Sequence, residues 1–399
     1  MDSALTWLLD ADVFAPEPRG RMDVLIGGGK ILAMEPAAGA AARKGAAGVP
    51  ATNHELGGTR LIPGLIDAHV HLTGGGGESG PASRVPRVML SALTSGGVTS
   101  VVGVLGTDGT TRDVASLVAA TLGLRAQGLS AWCWTGSYEV PPITLTGSVR
   151  SDIVFVDPVI GVGEVALSDH RSSQPTFDEI ARLAADCHVA GMMSGKAGVL
   201  HLHPGDGARG LDLVRRCLAE TELPAQVFHP THVNRKKALF EEALDLARIG
   251  VTVDVTAFPV ADGEDAWSAA DGIMRYLDSG APPEHLTASS DGGGCLPMFD
   301  ASGRIVAMDV GKPSALAATL AELLARGRSL PDVLPMFTSN VSRLLRLPHK
   351  GVLRVGADAD LVVLGSKHQV RDVMCGGRFF VRDENVVMNG MFESGESPR

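Results

Sequence analysis

Leu61-Ile-Pro-Gly-Leu-Ile-Asp-Ala-His69-Val-His71 is an apolar run that ends in His-x-His. Residues two apart on a strand face the same side, so one strand end can offer both imidazoles to a single ion. Further along stand Glu164, His203, His232 and Asp291, each at or just beyond the end of a short apolar strand. A zinc finger clusters its ligands locally. Ligands scattered over successive strand ends describe instead a catalytic metal site at one mouth of an α/β barrel.

Outward from that stretch, the middle of the chain alternates apolar strand, glycine-rich or polar loop, and amphipathic helix. Strands are expected over 62–67, 98–106, 131–138, 159–167, 198–203, 226–232, 251–258 and 286–290. Helices are expected over 111–124, 177–193, 211–220 and 236–249, where apolar residues recur at three and four. This alternation predicts a (β/α)8 TIM-type barrel over 61–349 rather than an open doubly wound sheet. No phosphate-loop Gly-Lys-Ser or Gly-Lys-Thr appears. The ends differ. Short β-like pieces (6–9, 24–26, 30–33) precede an Ala/Gly stretch over 37–47 that reads as a loop, and β character resumes over 360–364, 370–374 and 378–381. Residues 1–60 and 350–399 are therefore expected to pair into a small β-sandwich, closed by a return strand over 351–364.

At 399 residues, 45% hydrophobic and 20% charged, the composition suits a well-buried core. The 49 glycines match the many strand-to-helix turns. A formal charge of −10 argues against a nucleic-acid partner. Five cysteines, odd in number and without paired spacing, argue against a disulfide framework and for a reducing cytoplasm. The first residues lack the basic-then-apolar order of a secretion signal, and no apolar run approaches the roughly 20 residues of a membrane span.

A buried imidazole pair without metal needs two separate partners, so His69 and His71 read as ligands. His201 and His203 form a second His-x-His. Parity lets both face one way, and His203 is favoured because it lies at the strand end, before Pro204-Gly-Asp-Gly. His232 is favoured over His229, and His170 reads as a loop residue. Asp291, between Ser290 and Gly292-Gly-Gly, is either a turn aspartate or a carboxylate that binds metal and accepts a proton. Glu164 lies inside a glycine–apolar strand, where a carboxylate is costly to bury unless paired or metal-bound.

These residues resemble the metal-dependent amidohydrolase superfamily. The segments Leu105-Gly-Thr-Asp-Gly109, Trp134-Thr-Gly-Ser-Tyr138, Ser168-Asp-His-Arg-Ser172, Pro230-Thr-His-Val-Asn-Arg235 and Ser289-Ser-Asp-Gly292 narrow the resemblance to the isoaspartyl (β-aspartyl) dipeptidases. It implies a binuclear zinc site, with one ion on His69, His71 and Asp291 and the other on His203 and His232. Glu164 and a hydroxide would bridge the two. Several relatives bridge with a carbamylated lysine, and counting back from Ser168 places Glu164 there. Two zinc ions sharing a water bring its pKa from about 16 towards about 7.

The implied reaction is hydrolysis of the side-chain amide of a β-aspartyl dipeptide. Asp291 acts as general base and then acid, and Tyr138 donates to the oxyanion. Arg171 and Arg235 would grip the carboxylate of the leaving residue. Glu78 would pair with the substrate ammonium, and Gly76 and Thr107 would bind the carboxylate of the aspartyl half. Cys295 stands where relatives tend to carry a serine, and a thiol is a weaker hydrogen-bond partner. Relatives also imply a homo-oligomer. The alternatives are another amidohydrolase, a dihydroorotase-like cyclic amidase or an N-acyl amino-acid deacylase, and a non-catalytic assembly protein, which would have lost its ligands.

Overall fold

The computed structural model describes residues 5–37, 51–299 and 305–393. Strands β1 (Leu5–Phe14), β2 (Pro18–Gly27) and β3 (Lys30–Pro36) form an antiparallel meander, and β4 (Ala51–Glu55) runs parallel to β1. The loop expected over 37–47 lies almost wholly outside the described residues.

The strand expected over 62–67 is two strands. β5 (Arg60–Pro63) belongs to the terminal sheet and β6 (Leu65–Val70) to the central one. Gly64 makes the break: a Cβ there would lie 2.1 Å from Thr99 Oγ1, so only glycine admits this crossing between sheets. Pro63 has no N–H with which to continue a ladder.

After β6 come β7 (Val98–Gly103), β8 (Ser130–Thr135), β9 (Val159–Ala166), β10 (Val199–His203), β11 (Phe228–Pro230), β12 (Val253–Thr256) and β13 (Leu286–Ser289). β6 to β11 pair in sequence order as a curled parallel sheet, and β12 pairs in parallel with β13. Side chains span the gap between the two: Asn234, after β11, donates to the Thr256 carbonyl and accepts from the Thr256 amide. At the other end a parallel bridge joins Val70 to Gly292. Beside it, buried Asp67 on β6 accepts from the Ser290 amide.

Helices α1 (Leu90–Thr94), α2 (Val114–Ala126), α3 (Val149–Phe155), α4 (Phe177–Ser194), α5 (Asp212–Glu220), α6 (Lys237–Arg248), α7 (Ala269–Asp278) and α8 (Ala315–Ala325) connect or flank the strands. α4 shows why they form where they do. Thr176 and Glu179 make a capping box at its start, Ile180, Leu183, Ala184, Cys187 and Ala190 line its buried face, and left-handed Gly195 ends it. No helix among the described residues is long and apolar enough to cross a membrane.

The tail adds a hairpin, β14 (Cys295–Phe299) with β15 (Ile305–Val310), which the alternation did not predict. It then adds β16 (Leu361–Leu364), β17 (Val370–Cys375), β18 (Arg378–Arg382) and β19 (Asn385–Val386). The terminal unit expected as a β-sandwich is one hydrogen-bonded sheet of nine strands. β5 joins its halves, parallel to β1 and antiparallel to β16, with Ile62 opposite Val362. Of the return strand expected over 351–364, only the last four residues form a strand, and Asp358 makes an isolated bridge to Lys30.

Candidate metal centre

The ligand candidates sit where the parallel strands end, and all are buried or nearly so. His69 is the next-to-last residue of β6 and His71 follows the strand, Glu164 lies in β9, and His203 ends β10. His232 and Asp291 follow β11 and β13 on left-handed backbone, with φ of 56° and 52°. Non-glycine residues seldom adopt that region, and where they do the strain often accompanies a functional site.

Glu164 is the hub of the cluster. Its Oε1 lies 2.7 Å from His203 Nδ1 and 3.1 Å from His232 Nε2, and its Oε2 lies 3.4 Å from His69 Nε2. Asp291 Oδ1 lies 3.1 Å from His71 Nε2 and 3.5 Å from His69 Nε2. The ligand atoms of His69, His71 and Glu164 fall within 4.8 Å of one another, as do those of Glu164, His203 and His232. Glycine makes room for this density. At Gly106, φ 76°, a Cβ would lie 2.5 Å from His71 Cε1.

The charge states suit a cation. Burial pushes the His69 imidazolium down to about 3, so the ring is neutral and its lone pair free. Burial works to raise the Glu164 carboxyl, but His69 and His203 outweigh it and hold it well below the usual range. Burial likewise opposes ionisation of Asp291, and the hydrogen bond and charge of His71 override it, leaving it at about 2. His69 Nε2 is buried with no hydrogen-bond partner. Such orphans are rare in native proteins and call for an explanation. A divalent ion taking imidazole nitrogens and carboxylate oxygens supplies one, and the donor set suits zinc and other divalent transition metals alike.

Around the cluster stand the other residues singled out from sequence. The Tyr138 hydroxyl lies 3.0 Å from His203 Nδ1, and burial raises its phenol well above the ordinary value. Arg171 grips Asp169 through Nε and Nη2, both at 2.9 Å, and reaches Glu78 at 3.3 Å. Thr107 donates to Glu78 at 3.4 Å. Arg235 lies 3.0 Å from His203 Nε2 and pairs with Asp206 at 2.7 Å. A Cβ on Gly76 would come 3.4 Å from Cys295 Cβ. Burial, then Glu78 and Asp291, raises the Cys295 thiol. His170 is 90% exposed and stands outside the cluster.

Sequence reasoning passed over Asp169, whose Oδ2 lies 3.0 Å from His203 Nε2. It also left His201, His229 and Asp254 without roles. His201 is fully buried, stacks on Trp134 at 5.2 Å and lies 2.7 Å from His69 Nδ1, behind the cluster rather than in it.

A curled parallel sheet with a histidine–carboxylate cluster at its strand ends defines a metal-dependent hydrolase of the amidohydrolase superfamily. No protein-family model matches the chain. The structure of a β-aspartyl dipeptidase from the thermophilic, keratin-degrading Fervidobacterium islandicum AW-1, in complex with β-Asp-Leu dipeptide, is 40% identical with a TM-score of 0.89. That likeness covers 97% of this chain and 98% of that one. The chain therefore belongs to the β-aspartyl dipeptidase family. A curated dihydroorotase from Anaplasma phagocytophilum (strain HZ) is 26% identical over 347 residues, 77% of this chain and 74% of that protein. The D-hydantoinase of Bacillus sp. AR9, 17% identical over 96% of this chain and 97% of that one with a TM-score of 0.66, shares the fold.

Proposed function

We propose that the chain hydrolyses β-aspartyl dipeptides at a binuclear zinc centre. His69, His71 and Asp291 would hold one ion and His203 and His232 the other, with the Glu164 carboxylate shared between them. The eight parallel strands β6 to β13 close as a (β/α)8 barrel, with 1–60 and 350–399, joined through β5, as the accessory unit. Five free cysteines support a reducing, cytoplasmic setting. The observation that carries the substrate reading is the alternation of charge beside the cluster, from Glu78 through Arg171 to Asp169, with Arg235 against His203. An array of both signs suits a substrate with an ammonium and two carboxylates.

Bound zinc supplies Lewis acidity and brings the pKa of water to about 7. The chain's own groups do the rest. Asp291, ionised at neutral pH, accepts the proton of the attacking water and returns it to the departing amine nitrogen. Tyr138 keeps its phenolic proton and donates it as a hydrogen bond to the carbonyl oxygen as negative charge develops there. Arg171 and Arg235 bind the carboxylate of the leaving residue, and Glu78 binds the ammonium. Gly76, Thr107 and Cys295 contact the aspartyl half.

One zinc-supplemented assay of β-Asp-Leu, N-acyl amino acids and cyclic ureides tests this reading, with Glu164→Ala alongside. Turnover of β-Asp-Leu and loss of both activity and one ion in Glu164→Ala are expected. Turnover of a cyclic ureide without β-Asp-Leu would favour the cyclic-amidase reading, which the likeness to a dihydroorotase supports. Zinc content and rate unchanged in Glu164→Ala would remove Glu164 from the centre.

A further inference from the structure

Behind the cluster runs a chain of buried polar side chains that the reaction does not use. His69 Nδ1 lies 2.7 Å from His201 Nε2, His201 Nδ1 lies 2.9 Å from His229 Nδ1, and His229 Nε2 lies 3.0 Å from Thr287 Oγ1. Thr287 donates to Asp254 Oδ1 at 2.7 Å. On the other flank His232 Nδ1 lies 2.7 Å from Thr256 Oγ1, which lies 3.3 Å from Ser289 Oγ. Ser289 donates to Asp254 Oδ2 at 2.5 Å, and Thr231 donates to the same oxygen at 2.8 Å. Both arms therefore end on one carboxylate, and every member is buried.

Each contact needs one donor and one acceptor, and a neutral imidazole has one of each. The His69 arm consequently admits only two polarities. In one, every proton points toward Asp254: His69 donates from Nδ1, His201 from Nδ1 and His229 from Nε2. In the other, every proton points away, His201 donates from Nε2, and His69 carries its own proton on Nε2. Only the first leaves His69 Nε2 with a free lone pair beside Glu164 and Asp291. Three hydroxyl donors converging on Asp254 make it the acceptor that terminates both arms, which selects that polarity.

We propose that Asp254 is a positioning residue that sets the tautomer and ring orientation of His69 and His232 through two directed hydrogen-bond relays. Resting on the binuclear reading, this couples one ligand on each side of the centre to a single carboxylate. It predicts effects confined to one arm. Thr287→Val cuts the His69 arm and Thr256→Val the His232 arm, while Asp254→Asn disturbs both. The matching serine variants restore the hydroxyl, although serine packs less well than isosteric valine.

The test has two readouts. Nitrogen–proton NMR of histidine-labelled protein, zinc-loaded and metal-free, should show His201 protonated at Nδ1 and His229 at Nε2. Zinc retention against a chelator should fall about 10–100-fold for one ion in Thr287→Val and for the other in Thr256→Val, as for lost outer partners of metal-bound histidines. Thr287→Ser and Thr256→Ser should retain zinc like the wild type. His201 protonated on Nε2, or valine variants that hold both ions as the wild type does, overturns the proposal. Wild-type protein that binds no zinc would remove the binuclear reading instead, and the metal-free spectrum would still decide the polarity of the relay.

Discussion

Asp291→Asn separates the two tasks assigned to that residue, because an amide oxygen can still face the cluster but cannot take up a proton at neutral pH. Oδ1 lies within 3.5 Å of both His69 Nε2 and His71 Nε2, so the isosteric amide can occupy the same place. General acid–base catalysis typically contributes about 10²–10⁴-fold, and kcat for β-Asp-Leu should fall by that factor with KM little changed. The fold feels the change as well. The Asp291 carboxyl is held at about 2 against an ordinary 3.8. At about 1.4 kcal/mol per factor of ten, that difference is worth about 2 kcal/mol to the metal-free chain. Because the folded value is the lower one, this stabilisation is complete above about pH 4 and is lost as pH falls towards about 2. Urea unfolding of the metal-free proteins at pH 7 should show the deficit, and it should shrink at acidic pH. A variant that keeps its zinc and more than about a tenth of the wild-type kcat would refute the proton-transfer role.

Tyr138→Phe should lower kcat for β-Asp-Leu by about 10²–10³-fold while KM holds, the usual cost of one oxyanion donor. An equal loss in KM alone would make Tyr138 a ground-state contact. Cys295→Ser should lower KM about two- to tenfold, since a hydroxyl hydrogen bond is worth about 0.5–1.5 kcal/mol; an unchanged KM would place Cys295 outside the acyl pocket. Gly106→Ala should reduce zinc retention, because the new methyl would press on His71 from left-handed backbone. Wild-type zinc content in that variant, measured after dialysis, would contradict it. Chelation should abolish turnover and added zinc restore it, and activity that survives complete zinc removal would rule out a zinc centre.

Much of the candidate site is legible without coordinates because its cues are local. His69 and His71 stand two apart at the end of an apolar run, and alternation along a strand fixes their common face. Glu164 draws notice because a lone carboxylate inside Gly161-Val-Gly-Glu-Val165 is costly to bury. The same cue stands at Asp254 in Val253-Asp-Val-Thr256 and at Asp67 in Ile66-Asp-Ala68, and both are fully buried. Nothing local tells such a residue from a ligand. Asp254 meets three hydroxyls from elsewhere in the chain, and Asp67 meets Ser290. His201 and His203 share a parity, and only their depth in β10 separates them.

The run 62–67 was misread for a related reason. A continuous apolar stretch looks like one strand, and nothing near Gly64 announces that the chain changes sheets there. The partner that claims β5 is β16, about three hundred residues later, where Val362 faces Ile62. The hairpin of β14 and β15 escaped because it departs from the strand-and-helix alternation around it.

The sequence by itself determined the alternation of strands and helices along the middle of the chain, the residue types able to bind a cation and the strand ends that carry them, since each follows from periodicity over a few neighbouring residues. Only the tertiary structure decided that Glu164 touches His203 and His232, that Asp169, Arg171 and Arg235 crowd His203, and that Asp254 closes both relays. Those are meetings of residues far apart along the chain. They are fixed by how the parallel sheet curls, and no local pattern encodes that curl.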